Sequence, residues 1–459
     1  MPAFSTLPLA PSLLVTLGEL GYQTMTPIQA ESLPAILNGR DVIAQAKTGS
    51  GKTAAFGLGL LHHLEVKRFC VQSLVLCPTR ELADQVANEI RRLGRGTHNI
   101  KVLTLCGGQP FGPQLGSLQH GAHIVVGTPG RLLEHLQKGS LDLSATDYFV
   151  LDEADRMLDM GFQSAMDEIV EYLPSKRQTV LFSATYPKEI EQIAGRVLQD
   201  PVRIVIASEP VNNLIQQRFF LLDDESQRIT ATELLLLEQA PESAIVFANT
   251  KRETQAVCDQ LNAAGFYAAA LHGDMEQKER DETLVRFANK SLTVLVATDV
   301  AARGLDIEAV DLVINYHLAR DSEVHVHRVG RTGRAGSSGL ACSLVNKNEQ
   351  FKLDRLEDQL SEQPTLSPLP QQQLLSTTPP RPKWQTLQID GGKKDKLRPG
   401  DIVGGLTGEQ GIGGDQLGKI HITPNKAFVA VYRAVAKQAL AKITQGKLKG
   451  RNFRARLLR

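Results

Sequence analysis

Short apolar runs alternate with longer amphipathic stretches along the first 207 residues of the chain. The runs are apolar at consecutive positions, which predicts strands buried on both faces, and helical periodicity fills most of the stretches between them. Strands and helices that alternate in this way form a parallel sheet covered by helices. The predicted strands are residues 42–46, 73–76, 101–105, 123–126, 148–151, 179–182 and 202–206. We therefore predict an α/β lobe over residues 1–207.

The alternation restarts in a second unit, which we predict over residues 213–362. The predicted strands of this unit are residues 243–247, 268–271, 293–297, 312–315 and 341–345. Its pattern again favours a parallel sheet with helices between the strands. The chain is therefore predicted to contain two similar lobes.

The pattern changes after the second lobe. Residues 363–383 are rich in proline, glutamine and serine and have almost no charge, which predicts a semi-rigid or disordered linker. Residues 384–459 follow the order strand, helix, strand, strand, helix, strand, which is typical of RRM-like domains. The predicted fold class is α/β, with two parallel-sheet lobes followed by a small α+β RRM-like domain.

Composition is that of an ordinary globular protein, with 42% hydrophobic and 22% charged residues. No apolar run reaches the roughly 18 residues that a membrane span needs, and the N-terminus lacks the basic region of a secretory signal. The five cysteines are scattered and never form a C-x-x-C pair. We therefore expect a cytoplasmic protein without membrane contact, disulfide or zinc site, in which the cysteines are buried structural thiols.

Charge is distributed unevenly along the chain, although the whole carries a net charge of only +1. Residues 384–459 contain 15 Lys and Arg against 5 Asp and Glu, a net charge of +10. The other residues contain 36 Lys and Arg against 45 Asp and Glu, a net charge of −9. A strongly basic C-terminal domain on an acidic body predicts a polyanionic partner, most commonly a nucleic acid.

Candidate chemistry begins with DVIAQAKTGSGKT, residues 41–53, where a glycine-rich turn joins a predicted strand to a predicted helix. Such a turn directs backbone N–H groups toward the phosphates of a nucleotide at the positive end of the helix dipole. Lys52 would reach the terminal phosphates, and the Thr53 hydroxyl would bind Mg²⁺. The predicted loop residues are Ala46, Lys47, Thr48, Gly49, Ser50, Gly51, Lys52 and Thr53. Ala46 stands where the strict pattern has glycine, and the alternative is a chance turn that caps a helix.

Two carboxylates follow the buried strand at residues 148–151. We predict that Asp152 binds Mg²⁺ and that Glu153 orients or activates the attacking water. The alternative is that they only cap the start of a helix.

Several further polar clusters lie at predicted strand ends or near the N-terminus. Gln29 can offer a donor and an acceptor to an adenine edge, and Phe4 could stack on the base. Tyr22, seven residues before Gln29, is also a predicted ATP contact. Thr26 and Pro27 can equally be explained as the start of a helix. The strand-end residues that could contact a sugar–phosphate backbone are Pro78, Thr79, Arg80, Gly107, Gly108, Thr128, Pro129, Gly130 and Arg131.

The second lobe carries its own polar clusters at predicted strand ends. The most informative is HRVGRTGRAG, residues 327–336, because arginine donated to the phosphates stabilises charge in a transition state. Its predicted catalytic residues are His327, Arg331 and Arg334, and the alternative is a solvated basic turn. The other candidates in this lobe are Arg252, Gly273, Gln277, Arg280 and Thr298 for RNA, and Gly304 and Asp306 for the nucleotide.

These motifs, in this order, resemble those of the DEAD-box RNA helicases: the Gln29 segment (residues 2–30), AKTGSGKT, PTRELA, the glycine pair, TPGRL, DEAD and SAT. Ala46 is usual in that family, whereas His317 replaces the more common aspartate. The resemblance implies two RecA-like lobes that use ATP and Mg²⁺ and bind RNA through its backbone. It also implies that Asp155, Ser183 and Thr185 couple ATP hydrolysis to unwinding of short duplexes.

The C-terminal stretch IDGGKKDKLRPGDIVGGLTGEQGI resembles that of the DbpA subgroup of this family. The resemblance implies binding to a hairpin of large-subunit (23S) rRNA and a role in assembling the large ribosomal subunit within a pre-ribosomal particle. Base stacking on the sheet is doubtful, because Leu387 and Ile389 stand where a ring is expected and Phe428 is the one aromatic residue of KAFVAV. The predicted contacts are instead Lys393, Lys394, Lys447, Lys449, Arg451 and Arg454.

Two alternative functions remain at this point. A P-loop kinase or metabolic ATPase would explain the phosphate loop, although it has no use for a second lobe or a basic C-terminal domain. A non-enzymatic RNA-binding or chaperone protein would explain the charge, although Lys52, Glu153 and Arg331 speak against it. The preferred prediction is an RNA-dependent ATPase that unwinds duplexes and acts as a monomer.

Overall fold

The computed structural model describes residues 2–46, 49–206, 215–302, 310–319, 322–333, 339–357, 366–408 and 411–458. The chain divides into two compact units. The first contains the N-terminal lobe (lobe 1), and the second contains the other lobe (lobe 2) together with the C-terminal domain. Among the described residues, no helix is both long enough and apolar enough to span a bilayer.

Lobe 1 is a parallel sheet wound with helices. Its strands are β1 (Val42–Gln45), β2 (Ser73–Leu76), β3 (Val102–Leu105), β4 (Ile124–Gly127), β5 (Tyr148–Asp152), β6 (Gln178–Ser183) and β7 (Val202–Val205). Its helices are α1 (Pro11–Glu19), α2 (Pro27–Leu37), α3 (Lys52–His63), α4 (Arg80–Leu93), α5 (Phe111–Gln119), α6 (Pro129–Gln137), α7 (Ala154–Asp159), α8 (Gln163–Glu171) and α9 (Lys188–Val197). The strands pair in the order β3-β4-β2-β5-β6-β1-β7. Two apolar clusters cover its two faces, as the uninterrupted apolar runs predicted.

Lobe 2 repeats this architecture. Its strands are β8 (Ile215–Leu222), β9 (Ala244–Phe247), β10 (Ala268–Leu271), β11 (Val294–Ala297), β12 (Leu312–Asn315) and β13 (Gly339–Asn346). Its helices are α10 (Gln227–Gln239), α11 (Lys251–Ala263), α12 (Gln277–Ala288), α13 (Asp299–Ala302), α14 (Ser322–Val329) and α15 (Gln350–Glu357). The parallel strand order is β10-β11-β9-β12-β13-β8. The pattern missed β8, an edge strand whose polar first half, IQQR, hides the apolar signal.

The C-terminal domain has the predicted order of elements and an antiparallel sheet. Its elements are β14 (Trp384–Ile389), α16 (Pro399–Thr407), β15 (Leu417–Ile422), β16 (Ala427–Tyr432), α17 (Ala436–Gln445) and β17 (Ala455–Leu457). The strands pair in the order β15-β16-β14-β17. The prediction of an α/β chain with two parallel-sheet lobes and a small α+β domain is confirmed.

The linker prediction needs correction, because the described part of that segment, residues 366–383, follows the surface of lobe 2. The Ser367 amide donates to the Phe219 carbonyl at 2.7 Å, and Leu369 packs against the core of lobe 2. Farther along, Lys383 forms an ion pair of 2.8 Å with Glu242. Leu369 gives this low-charge sequence an apolar group to bury, so the described part of the segment is attached to lobe 2 rather than disordered.

A buried ionic cluster closes the carboxyl end of β12 in lobe 2. Arg228 is fully buried and donates to Glu225, Glu349 and the backbone carbonyls of Tyr316 and Leu344. His317, the unusual residue in its motif, lies 2.6 Å from Glu253 through Nε2.

The cluster controls how its members titrate. Burial by itself lowers the pKa of His317, but its hydrogen bond to Glu253 and the carboxylate of Glu349, 3.8 Å away, outweigh burial and raise the pKa above 6.5. Burial also opposes ionisation of Glu349, yet the nearby His317 ring and the hydrogen bond from Lys352 lower its pKa to about 2. The two carboxylates therefore favour the protonated form of His317 in the folded lobe.

We predict that the His317→Gln variant changes the pH dependence of stability. A histidine whose pKa is raised by folding stabilises the protein below 6.5, and this contribution is lost as the pH rises through the folded-state value. The difference in unfolding free energy between wild type and His317→Gln should therefore shrink between pH 6 and pH 9 in urea titrations. Replacing the exposed His98 with Gln is the control, and a wild-type advantage that grows with pH would contradict the assignment.

Candidate nucleotide and RNA sites

The glycine-rich loop joins β1 to α3 and has the geometry of a phosphate loop. Gly49 and Gly51 have φ of +84° and +95°, a region that residues with a Cβ rarely adopt. A Cβ on Gly51 would also lie 2.5 Å from Nε2 of Gln29. Lys52 begins α3, is only 5% exposed, and donates from Nζ to the Ala46 carbonyl at 3.1 Å. Lys47 and Thr48 lie outside the described residues.

The Gln29 side chain forms hydrogen bonds to both the start of α2 and this loop. Its Oε1 accepts from the Thr26 amide at 2.9 Å as part of a capping box, and its Nε2 donates to the Gly51 carbonyl at 3.1 Å. The helix-start explanation of this segment is therefore correct. Contact of Gln29 with adenine stays a prediction, and it would require these hydrogen bonds to rearrange.

The two aromatic residues upstream of Gln29 differ in environment. Phe4 is 2% exposed and packs edge-on against Tyr22, with ring centroids 6.0 Å apart. Tyr22 is partly exposed and donates its hydroxyl to Glu89 at 2.7 Å, and burial with this bond raises its pKa to about 12. Of the two, Tyr22 has the ring that a base could reach in this structure, so stacking by Phe4 remains a sequence prediction only.

Asp152 is the last residue of β5 and Glu153 follows it, and their side chains have different surroundings. Burial raises the pKa of Asp152 to about 7, Lys52 opposes the shift, and Glu153 adds to it. Among the described residues, Asp152 Oδ1 is buried without a hydrogen-bond partner. A buried carboxylate oxygen left unpaired beside a phosphate loop suits a hard cation, so the residues fit Mg²⁺.

Glu153 is held by a neighbour that the sequence analysis overlooked. Its backbone is left-handed, with φ of +55° and ψ of +51°, and its Oε2 accepts from Arg156 Nη1 at 2.8 Å. Both side chains are only 4% exposed. The i, i+3 spacing of an acid and a base at a helix start is a signal for such a pair, although it also occurs on many exposed helices.

Asp155 links the DEAD motif to the SAT motif after β6. Its Oδ2 accepts from the amides of Ala184 and Thr185 at 3.1 and 2.9 Å, and from the Thr185 hydroxyl at 3.0 Å. Ser183 lies at the end of β6, and its carbonyl accepts from the Ala46 amide at 3.0 Å. The predicted coupling residues Asp155, Ser183 and Thr185 therefore lie together beside the phosphate loop.

The predicted RNA-contacting loops of lobe 1 also come together, because β3, β4 and β2 are neighbours in the sheet. Arg80, at the start of α4, donates to the Gly108 carbonyl at 3.4 Å, and Arg131 of α6 donates to the Gln109 carbonyl at 3.0 Å. Thr79 and Thr128 are the N-caps of these two helices. The other predicted contacts in these loops are Pro78, Gly107, Pro129 and Gly130.

In lobe 2, the HRVGR segment spans the end of α14 and the two residues that follow it. Arg328 is buried and donates two hydrogen bonds of 2.6 and 2.8 Å to the Asp299 carboxylate. His327 and Arg331 line one pocket with Asp299 and Phe247, and Arg331 is 4% exposed. Arg334, Gly304 and Asp306 lie outside the described residues.

The predicted RNA contacts of lobe 2 lie at the ends of β9, β10 and β11, which are adjacent strands. Arg280 of α12 donates to the Ala301 carbonyl at 2.8 Å, and Thr298 is the residue directly after β11. Arg252 is exposed on α11, and Gln277 begins α12. Gly273 lies in the turn after β10. A Cβ added at this position would lie 3.6 Å from the Lys251 side chain.

Eight of the fifteen basic residues of the C-terminal domain lie on two adjacent loops, which we call the basic loops (residues 391–398 and 447–454). Lys449 Nζ donates to the Lys396 carbonyl at 3.2 Å, and the Asp390 amide donates to the Arg454 carbonyl at 2.8 Å. The predicted contacts Lys393, Lys394, Lys447, Lys449, Arg451 and Arg454 are all exposed there. In contrast, Leu387 and Ile389 lie in the core of the domain, so a ring at either position could not stack on a base.

Comparison with protein families covers all three parts of the chain. Residues 26–193 match the DEAD/DEAH box helicase family, residues 227–336 the helicase conserved C-terminal domain, and residues 386–457 the DbpA RNA binding domain. The chain is 55% identical over 460 residues to the ATP-dependent RNA helicase DbpA of Escherichia coli strain K12, covering 100% of both chains. It is 42% identical over 370 residues to the DEAD-box ATP-dependent RNA helicase RhpA of Helicobacter pylori strain ATCC 700392 / 26695, covering 80% of this chain and 75% of the relative.

Solved structures give the same picture for the two lobes. Saccharomyces cerevisiae Dbp5 bound to RNA and ADP BeF3 matches with a TM-score of 0.71 at 31% identity, over 81% of this chain and 96% of that one. Mss116p bound to ssRNA and AMP-PNP matches with a TM-score of 0.71 at 28% identity, over 80% of this chain and 78% of that one.

Fold and site together define an ATPase built on two RecA-like lobes, only the first of which has a phosphate loop. The chain belongs to the DEAD-box ATP-dependent RNA helicases of the DbpA type. It is therefore an ATP-using RNA helicase with an RNA-binding C-terminal domain, which excludes the metabolic ATPase and the non-enzymatic alternatives.

We predict that Arg156 positions Glu153, so that the Arg156→Gln variant loses turnover more than ATP affinity. Loss of one charge-assisted hydrogen bond should lower kcat about 10- to 100-fold and leave the KM for ATP within about threefold. Steady-state ATPase assays with saturating RNA measure both constants, and Arg156→Lys should recover part of kcat. Arg196→Gln, at an exposed ion pair of the same lobe, is the control. A raised KM at normal kcat would instead place Arg156 in nucleotide binding.

Proposed function

We propose that this helicase acts on large-subunit rRNA during assembly of the large ribosomal subunit in the cytoplasm, as a monomer that engages a pre-ribosomal particle. The C-terminal domain would hold an rRNA hairpin, and the lobes would use ATP to open short duplexes nearby. The target itself comes from resemblance to the DbpA subgroup. The observation that best supports an RNA-holding role is the pair of exposed basic loops in a domain of net charge +10.

ATP chemistry is assigned to lobe 1. The amides of Gly49 to Gly51 and the ammonium of Lys52 would hold the phosphates, and Asp152 with Thr53 would hold Mg²⁺. The cation would neutralise charge on the phosphates when bound. Glu153 would orient the attacking water, with its carboxylate fixed by Arg156. His327 and Arg331 remain the predicted contribution of lobe 2 to hydrolysis, together with Arg334.

Coupling of hydrolysis to RNA is assigned to the bonds between Asp155 and the SAT segment. Asp155 lies two residues from the proposed water-orienting Glu153, and it holds the backbone of Ala184 and Thr185 directly. A shift of the DEAD segment during hydrolysis must therefore move or break those bonds. This gives the ATP site a direct mechanical connection to the loop after β6.

RNA binding is proposed to divide between core and C-terminal domain. Contacts from the strand-end loops of the lobes would be to sugar and phosphate, and such contacts carry little sequence information. The basic loops supply affinity through counterion release and can read the shape and loop bases of a folded RNA. Preference for one RNA should therefore depend on the C-terminal domain.

We predict that the Lys52→Ala and Glu153→Gln variants fail at different steps. Lys52 binds phosphate in the ground state, so its loss should weaken ATP binding. Glu153 acts on the water, so its loss should leave ATP and RNA bound while hydrolysis falls by about 10²- to 10⁴-fold. Equilibrium ATP binding and single-turnover hydrolysis separate the two, and exposed Lys176→Ala is the control. Normal hydrolysis by Glu153→Gln would show that the carboxylate roles are wrong.

We also predict that charge reversal in the basic loops, Lys447→Glu with Lys449→Glu, weakens binding of an rRNA hairpin. If both lysines contact phosphates, the salt dependence of log affinity should become shallower by about two units. ATPase activity with saturating unstructured RNA should be unchanged. The lobe 1 pair Lys67→Glu with Lys176→Glu changes net charge equally and is the control. An equal loss of affinity in both double variants would assign the effect to overall charge rather than to these loops.

A further inference from the structure

The four-stranded sheet of the C-terminal domain has two faces with different coverings. Side chains alternate between the faces of a strand, so Leu387 and Ile389 point one way and Thr386 and Gln388 the other. Leu387, Ile389 and alternate residues of β16 pack with α16 and α17 in the core of the domain. Among the described residues of this domain, both α-helices therefore lie on one face, which we call the helix face.

The opposite face, which we call the open face, is nevertheless buried in the whole chain. Thr386 is 0% exposed, Gln388 2%, Phe428 5% and Ala430 2%. These residues are cross-strand neighbours, since Thr386 pairs with Ala430 and Gln388 with Phe428. Residues this deeply buried, on the face that α16 and α17 do not cover, require a cover from elsewhere in the chain.

Lobe 2 provides that cover through the turn after α12. The Thr386 hydroxyl lies 2.7 Å from the Ser291 hydroxyl and accepts from Asn289 Nδ2 at 3.2 Å. Asn289 and Ser291 are themselves only 4% and 6% exposed. Buried polar groups are costly when unpaired, so this group of three disfavours any other register between domain and lobe.

Charged and aromatic contacts surround this polar group. Glu242 of lobe 2 accepts from Lys290 at 2.7 Å and from Lys383 at 2.8 Å, and these two lysines lower its pKa to about 2. The Arg433 guanidinium lies 5.0 Å from the centre of the Tyr267 ring. Lys383 precedes β14 and Arg433 follows β16, so these contacts attach the domain to lobe 2 at a second point and oppose rotation about the polar group.

Helix α12 connects this interface to the predicted RNA contacts of lobe 2. Gln277 and Arg280 lie at its N-terminal end, Glu282 on the helix lies 3.6 Å from Arg456 of β17, and Asn289 follows its last residue. From Gln277 to Asn289 the rise is about 18 Å at the α-helical repeat. One rigid element therefore carries both the predicted core RNA contacts and the attachment of the C-terminal domain.

We infer that the open face is an intrachain docking surface that fixes the C-terminal domain on lobe 2 as one body, so that RNA held by the basic loops meets α12 at a set distance. The docking is supported by the hydrogen bonds, ion pairs and cation–π contact between the domain and lobe 2. The statement about RNA rests on the proposed function. In this arrangement the open face is used for attachment and takes no RNA.

A disulfide lock tests both statements in the full-length protein. The Ser291 and Thr386 hydroxyl oxygens are 2.7 Å apart, so thiols on the same carbons can reach bonding distance. We expect the Ser291→Cys, Thr386→Cys variant to oxidise almost completely under mild conditions, as peptide mass mapping would show. We also expect its affinity for an rRNA hairpin to stay within twofold of that of the reduced protein.

The control variant pairs Ser291→Cys with Lys437→Cys, because Lys437 is exposed on α17, on the helix face. Oxidation of both variants to the same extent, or of neither, would overturn docking. A disulfide that forms but abolishes hairpin binding would overturn the statement that the open face takes no RNA. Absence of hairpin binding in both reduced and oxidised protein would contradict the proposed function while the disulfide still reports on docking.

A second variant tests docking without depending on the reactivity of buried thiols. Thr386→Arg places a long cation on the open face, where it is compatible with the fold of the C-terminal domain but not with the polar group at Asn289 and Ser291. Methyl relaxation should give one rotational correlation time for lobe 2 and the C-terminal domain in the wild type, and a shorter one for the domain in the variant. Separate correlation times already in the wild type would overturn the inference.

Discussion

The structure depends on one constraint, which is that a sheet face that carries apolar residues must be covered. In each lobe, helices cover both faces of a parallel sheet, so only the carboxyl ends of the strands are open to polar chemistry. In the described part of the C-terminal domain, helices lie on one face of the sheet only, and lobe 2 covers the second face. The same requirement thus places the catalytic groups at strand ends and attaches the RNA-binding domain to the lobe.

Because functional groups are confined to strand ends, neighbouring strands bring distant motifs together. Strands β1, β5 and β6 are adjacent, so the phosphate loop, the DEAD carboxylates and the SAT segment share one edge. Asp155 holds the SAT segment through three hydrogen bonds, and Arg156 holds Glu153 through a fourth. The order of strands therefore explains why residues more than a hundred positions apart can respond to one nucleotide.

Sequence patterns predicted the elements that are strongly apolar and the motifs whose chemistry needs particular residue types. They gave the parallel sheets, the order of the C-terminal domain and the phosphate loop, because these follow from local periodicity and spacing. They missed β8, an edge strand whose first half is polar, and they predicted a semi-rigid or disordered linker over residues 363–383. The Arg156–Glu153 pair and the Thr386, Asn289 and Ser291 group were also missed, since a threonine or asparagine shows nothing in sequence of the partner that will bury it.

The central claim is that the C-terminal domain and lobe 2 move as one body that presents RNA to α12. The most direct measurement is unwinding of a short duplex joined to an rRNA hairpin by double-helical spacers of increasing length. A fixed domain predicts a narrow optimum of spacer length, with rates that fall on both sides of it. A domain tethered by a flexible chain of about 20 residues would reach over roughly 25 Å and give a broad, slowly declining dependence. A broad dependence in the wild type, unchanged in Thr386→Arg, would contradict the account.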